Sequence, residues 1–133
     1  MKITKRQDYA ILLMTKLCLE WQKRLVPLSE VAKTYHLSPL FLKQLAIDLK
    51  GAKLIKSKEG ISGGYSLSRH PGTINLADIL TSLSGQQILS PSCLKKNSHC
   101  ALILACPSKR VLQKINTEMI KSLQKISLAE IAK

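Results

Sequence analysis

The chain is poor in aromatic residues, in acids and in long apolar runs, and each shortage narrows what it can be. One Trp, three Tyr and one Phe make up 4% of its 133 residues. The core must therefore be built from Leu, Ile, Val and Ala, a composition that suits helices more than a β-sandwich. Only 8 Asp and Glu stand against 21 Lys and Arg, for a formal charge of +13 and a pI near 9.9. Solubility does not call for such an excess in a chain of this length, whereas a polyanionic partner does. No apolar run approaches the ~18 residues of a membrane span. The opening Met1-Lys2-Ile3-Thr4-Lys5-Arg6 leads into no signal-peptide core. A cytoplasmic location without a membrane partner is expected, where thiols stay reduced. The sequence holds no Ser/His/Asp set, phosphate loop or paired carboxylates, so catalysis is not expected. It also lacks C-x-x-C, which weighs against a thiol redox enzyme using Cys100 and Cys106. There are no repeats or low-complexity segments.

What is present begins with charge placement. Residues 1–70 hold 13 basic and 5 acidic side chains, and residues 71–133 hold 8 and 3. Within the basic half, residues 8–23 read as a helix with Ala10, Met14, Leu17 and Trp21 on one face, widened by Ile11 and Cys18. Cys18 lies in that stripe and is read as structural. Residues 29–50 read as two short helices. Ser29 is a candidate cap for the first, with Val31, Ala32 and Tyr35 on its apolar side. Tyr35-His36-Leu37 connects them. Ser38 caps the second, Pro39 takes its first position, Leu42, Leu45, Ala46 and Leu49 form its buried stripe, and Gly51 stops it. Two helices joined this closely form the helix-turn-helix pattern.

Two short strand candidates follow, Leu54–Lys58 and Tyr65–Ser68, around Glu59-Gly60-Ile61-Ser62-Gly63-Gly64. A basic two-stranded ribbon directly after a helix-turn-helix reads as a wing: its tip can enter the minor groove while the second helix enters the major groove. The bland alternatives are an ordinary hairpin and a merely basic surface. Asn75 and Asp78 then cap a short helix running through Leu83. A long helix is expected from Val111 to Ile126, with Leu112, Ile115, Met119, Leu123 and Ile126 as its stripe. Little of its own domain remains to cover it, so pairing with a second copy is expected.

Between these helices lie Cys93, Cys100 and Cys106 at C-x6-C-x5-C, ahead of an expected break at Pro107-Ser108. Three thiolates on one loop can converge on an iron–sulfur cluster or on structural zinc. Scattered buried cysteines are the plain alternative.

Thr4 with Asp8-Tyr9, the Ser38-Pro39 helix, Gly60-Ile61-Ser62-Gly63-Gly64-Tyr65-Ser66-Leu67, Ile74 to Ile79, three cysteines and a long helix together resemble the Rrf-two (Rrf2) family. These are bacterial winged-helix regulators that include an iron–sulfur cluster regulator and a nitric-oxide-sensing repressor. The resemblance covers essentially the whole chain. The tail Ile126–Ala132, with Gln113 to Asn116 before it, is similar to the subgroup that regulates the SUF iron–sulfur assembly system. The resemblance implies that Cys93, Cys100 and Cys106 are cluster ligands, of a 2Fe–2S cluster with 4Fe–4S as the alternative. In the cluster regulator a His three residues after the last Cys is the fourth ligand; here that position is Lys109, and the first Cys spacing is one residue longer. Asp8 matches the nitric-oxide sensor's carboxylate ligand, and His99 is a second candidate. Lys43 stands where the cluster regulator has Glu, so a different operator preference is expected.

The expected protein is thus mainly α: a winged helix-turn-helix with a two-stranded β-wing and a long C-terminal dimerisation helix. The DNA-binding domain is assigned to residues 1–84, the cysteine loop to 85–107, and the dimerisation helix with its tail to 108–133. Residues assigned to DNA contact are Thr4, Lys5, Ser29, Ser38, Pro39, Phe41, Lys43 and Gln44, with Lys56, Lys58, Gly60, Ser62 and Gly63 in the wing. The expected partners are a second copy of the chain and double-stranded DNA with a palindromic operator. The rival readings are a zinc-stabilised winged-helix repressor with His99 completing three thiolates, and a protein–protein adaptor.

Overall fold

The computed structural model describes residues 3–84, 101, 102 and 104–132. In chain order they form α1 (Lys5–Leu19), α2 (Leu28–Tyr35), α3 (Pro39–Gly51), β1 (Ile55–Lys58), β2 (Gly64–Leu67), a 3-10 turn (Pro71–Thr73), α4 (Leu76–Ser84), α5 (Pro107–Gln124) and α6 (Leu128–Ile131). The mainly helical class and the two-stranded sheet agree with the sequence reading.

α1 starts three residues before the apolar periodicity that announces it. Thr4 and Gln7 form a capping box, in which Thr4 Oγ1 accepts from the Gln7 N–H at 3.2 Å and Gln7 Oε1 accepts from the Thr4 N–H at 2.9 Å. The helix stops at Leu19 rather than 23, and the chain turns through Gln22 at φ 61°. Ser29 does not cap α2: Pro27 is the N-cap residue, with extended φ and ψ of −72° and 144°, and Ser29 is exposed inside the first turn. The proline ring fixes the entry angle that a capping side chain would otherwise stabilise. Arg24 then joins α1 to α2 by donating to both carboxylate oxygens of Glu30 at 2.7 and 2.5 Å, with Lys16 3.4 Å from the same group.

His36 takes the left-handed conformation (φ 54°, ψ 47°) that reverses the chain between α2 and α3. Ser38 Oγ accepts from the Phe41 N–H at 3.4 Å and Pro39 occupies the first turn of α3, as expected. Leu42, Leu45, Ala46 and Leu49 are buried against Ala10, Leu13, Met14 and Leu17 of α1 and Val31 and Ala32 of α2. Each fully buried Leu here contributes roughly 1.5–3 kcal/mol through burial.

The hairpin pairs Ile55 with Leu67 through Lys58 with Gly64. A third segment brackets it. Val26 and Tyr65 exchange two backbone hydrogen bonds, each 2.9 Å. The chain passes so closely there that a Cβ on Gly64 would lie 2.8 Å from the Val26 carbonyl carbon. At the tip, Gly60 has φ 113°, a conformation that side chains resist.

Asn75 and Asp78 cap α4 reciprocally at 2.9 and 3.2 Å. Pro107 opens α5 instead of breaking the chain, so the helix starts four residues before the expected Val111 and Cys106 becomes its N-cap residue. The lost N–H of a first-turn proline has no helical partner to lose. α5 lies against α4, and none of its residues is buried. The tail returns to the first half of the chain. Leu76 donates to the Ile126 carbonyl at 2.9 Å and Leu128 to that of Ile74 at 2.8 Å. Leu128 itself is fully buried in the core that α1 shares.

Candidate nucleic-acid interface and thiol site

α3 is two-sided. Its buried stripe faces α1 and α2, which leaves Ser38, Pro39, Lys43 and Gln44 exposed on the far side. Three contacts hold that side in place. Arg6 is ion-paired with Asp48, tying the start of α1 to α3. The Tyr9 and Phe41 rings meet edge to face at 5.5 Å. Lys50 Nζ donates to Ser57 Oγ at 2.7 Å, joining the end of α3 to the first wing strand. This contact adds to the packing of buried Leu54 and Ile55 in the core they share with α3.

Lys56 and Lys58 are exposed and two residues apart on β1, so their side chains leave the same face of the ribbon. Gly60 and Ser62 are exposed at the tip and Gly63 is half-buried. Two of the residues assigned to DNA contact also have intramolecular partners: Thr4 is exposed and forms the capping box, and Phe41 is half-buried against Tyr9. Lys5 is exposed at the first position of α1, on the same helix turn as exposed Asp8. The ion pair, the lysine–serine contact and the Val26 bracket were not anticipated. The Arg6–Asp48 and Lys50–Ser57 pairs connect separate elements, and nothing in local periodicity announces such pairings.

Of the thiol set, Cys106 is described; Cys93, His99 and Cys100 lie outside the described residues. The Cys106 thiol has its pKa lowered chiefly by the backbone N–H of Lys109, with the Ser108 N–H and hydroxyl and the Lys109 charge adding to the effect. A helix N-terminus stabilises a thiolate in this way. Cys18 is the opposite case. It is half-buried, its Sγ lies 4.0 Å from the Leu128 carbonyl oxygen, and burial raises its pKa. This fits the structural role read from its helical stripe. Among the described residues no three His, Cys, Asp or Glu side chains come together as a metal site. Neither Asp8 nor Cys106 belongs to such a group among the described residues.

Along α5, which ends at Gln124 rather than the expected Ile126, Leu112, Met119 and Leu123 are half-buried while Val111 and Ile115 are 58% and 43% exposed, and Ile126 just beyond it is 38% exposed. An apolar stripe this open on an 18-residue helix is the face that a second helix would cover. No helix among the described residues is long and apolar enough to cross a membrane.

Comparison with known proteins agrees with this geometry. The chain is 25% identical over 133 residues to the HTH-type transcriptional regulator NsrR of Oceanobacillus iheyensis, covering all of this chain and 90% of that one. Its structure superposes with a TM-score of 0.77 on CymR (YrzC), the global cysteine regulator of B. subtilis, at 29% identity over 99% of this chain and 96% of that one. The structure of T. potens IscR gives 0.75 at 27% identity, covering 98% and 85%. Residues 3–133 match the family described as Rrf2, iron-dependent transcriptional regulator. A helix-turn-helix with a basic wing, on a chain matched over nearly its full length, makes this protein a member of the Rrf2 family of DNA-binding transcription regulators.

Proposed function

We propose that the protein is a homodimeric regulator of a palindromic operator whose affinity responds to an iron–sulfur cluster on Cys93, Cys100 and Cys106, and that its targets are SUF-type cluster-assembly genes. The observation that carries the DNA half of this reading is the exposed Lys43–Gln44 side of α3, clamped beside a basic wing. In the proposed dimer the open stripe of α5 pairs with its copy and sets the distance between two α3 helices. Operators with half-sites one helical turn or a multiple apart then sense small changes in that distance.

Cys106 fits the proposed ligand set because its surroundings favour the thiolate, the form that iron and zinc bind. Lys109, an ammonium, cannot complete such a set, so the fourth position falls to Asp8 or alternatively to His99. A bound cluster would supply an iron centre open to attack by oxygen or nitric oxide and sensitive to iron shortage. The chain's own part is transmission. Cys106 starts α5, α5 leads to Ile126 and Leu128, and these hydrogen-bond to the strand-like entry of α4 and pack on α1. A change at Cys106 thus acts at one end of a continuous path to the helix-turn-helix.

The lowered Cys106 pKa and the likeness to a global cysteine regulator also support a second reading, in which the thiols respond without a cluster. Anaerobic purification followed by iron, sulfide and zinc analysis and a visible spectrum tests the proposal. Brown protein with iron and sulfide is expected, and Cys106→Ser should be colourless. Colourless protein holding zinc would replace the cluster with a structural metal. Colourless protein free of metal would leave the thiol reading.

A further inference from the structure

The exposed face of α3 carries two large apolar side chains that neither the core nor the lysines account for. Leu40 is 78% exposed and Ile47 is 55% exposed. Between residues 3 and 84 only the wing-tip Ile61 is a more exposed large hydrophobic. Single exposed leucines are ordinary and carry no message. Here, however, Leu40, Lys43, Gln44 and Ile47 fall at i, i+3, i+4 and i+7, an arc roughly 100° wide at 3.6 residues per turn. The buried Leu42, Leu45, Ala46 and Leu49 occupy the opposite arc.

We infer that Leu40 and Ile47 read the 5-methyl groups of thymines in the operator's major groove. This rests on α3 being the groove-reading helix of the proposed function. The major groove offers guanine O6 and N7 to a Lys, adenine N6 and N7 to a Gln, and the thymine methyl to an apolar side chain. The arc holds all three kinds of reader. A protein-docking helix would be expected to carry a continuous apolar stripe. Instead Lys43 and Gln44 separate the two apolar residues, and the exposed Lys56 and Lys58 stand on the neighbouring wing. That arrangement complements a duplex flanked by phosphates.

The experiment uses the full chain and its preferred duplex selected from a random DNA pool. Each thymine of a half-site is replaced in turn by deoxyuridine, which removes the methyl group and leaves every hydrogen-bonding atom. Wild-type affinity should fall roughly fourfold at the positions read, the worth of one buried methyl-sized group. Leu40→Ala or Ile47→Ala should bind the thymine and deoxyuridine duplexes equally at those positions, with an unchanged melting temperature. Wild-type protein indifferent to every deoxyuridine, yet binding the selected duplex with strong salt dependence, would overturn the methyl reading and leave the DNA-binding function intact. Absence of any salt-dependent DNA binding would overturn both.

Discussion

Lys56 and Lys58 test the wing. Both are exposed on β1 and their side chains share one face; Lys50 holds that strand at Ser57, and the Val26 bracket holds its partner β2 at Tyr65, so neither lysine is part of the support. Replacing both by Ala should leave the fold intact, since surface substitutions of this kind change stability by about 0.5 kcal/mol or less. DNA affinity should behave differently. Each lysine that neutralises a phosphate adds ~0.9 to the slope of log affinity against log salt. Losing two should flatten the slope by ~1.8. A fourfold rise in salt would then weaken the double variant ~12-fold less than it weakens the wild type. Fluorescence anisotropy between 50 and 200 mM salt, on the preferred duplex and on a scrambled one, measures this. The change should be similar on both, because phosphates carry no sequence information. Lys43→Ala and Gln44→Ala should instead shift base preference. A folded double variant with the wild-type slope would mean that the wing does not reach the backbone.

Gly64→Ala should destabilise the protein by roughly 1–3 kcal/mol in urea unfolding, because its Cβ would press on the Val26 backbone; a cost below the error of the measurement would show that the linker yields freely. Ile115→Glu or Met119→Glu should give monomers with poor operator affinity, and a mutant still dimeric by light scattering would show that α5 does not pair. Glu30, held at a pKa of about 2 chiefly by Arg24, should keep its charge well into acid. A depressed carboxylate contributes stability that is complete above its unfolded pKa of ~4.3. That contribution is lost as pH falls toward about 2, and Arg24→Ala should move the NMR titration of Glu30 back up. An unchanged titration would show that the pair is not formed in solution.

The helix-turn-helix and wing were legible because their signals are local. Ser38-Pro39, the alternating strands and the glycines of the tip each fix a few neighbouring dihedral angles, and the stripe of α3 marks its buried side. The misses share a cause of the opposite kind. Ser29 looked like a cap because caps are recognised by residue type, but Pro27 had already set the entry of α2. Pro107 looked like a break because a proline ends one element as readily as it opens the next. Leu128 gave no local sign that it would travel back to α1, nor Val26 that it would pair with Tyr65. On the site, Lys43, Lys56 and Lys58, assigned to DNA contact from the sequence, are all exposed. Leu40 and Ile47 were passed over, because two large apolar residues on a helix give no local sign that they will stay exposed.

Cluster-coupled DNA binding is the most direct test of the proposed regulator. The preferred duplex is titrated anaerobically with cluster-loaded protein and with the same preparation after cluster removal. The proposed function predicts dissociation constants that differ by at least about tenfold, a 1.4 kcal/mol coupling of the size usual for two linked sites. Cys106→Ser should bind like the cluster-free form under both treatments. Equal affinity of loaded and cluster-free wild-type protein, each retaining salt-dependent binding, would contradict the sensor while leaving a DNA-binding regulator in place.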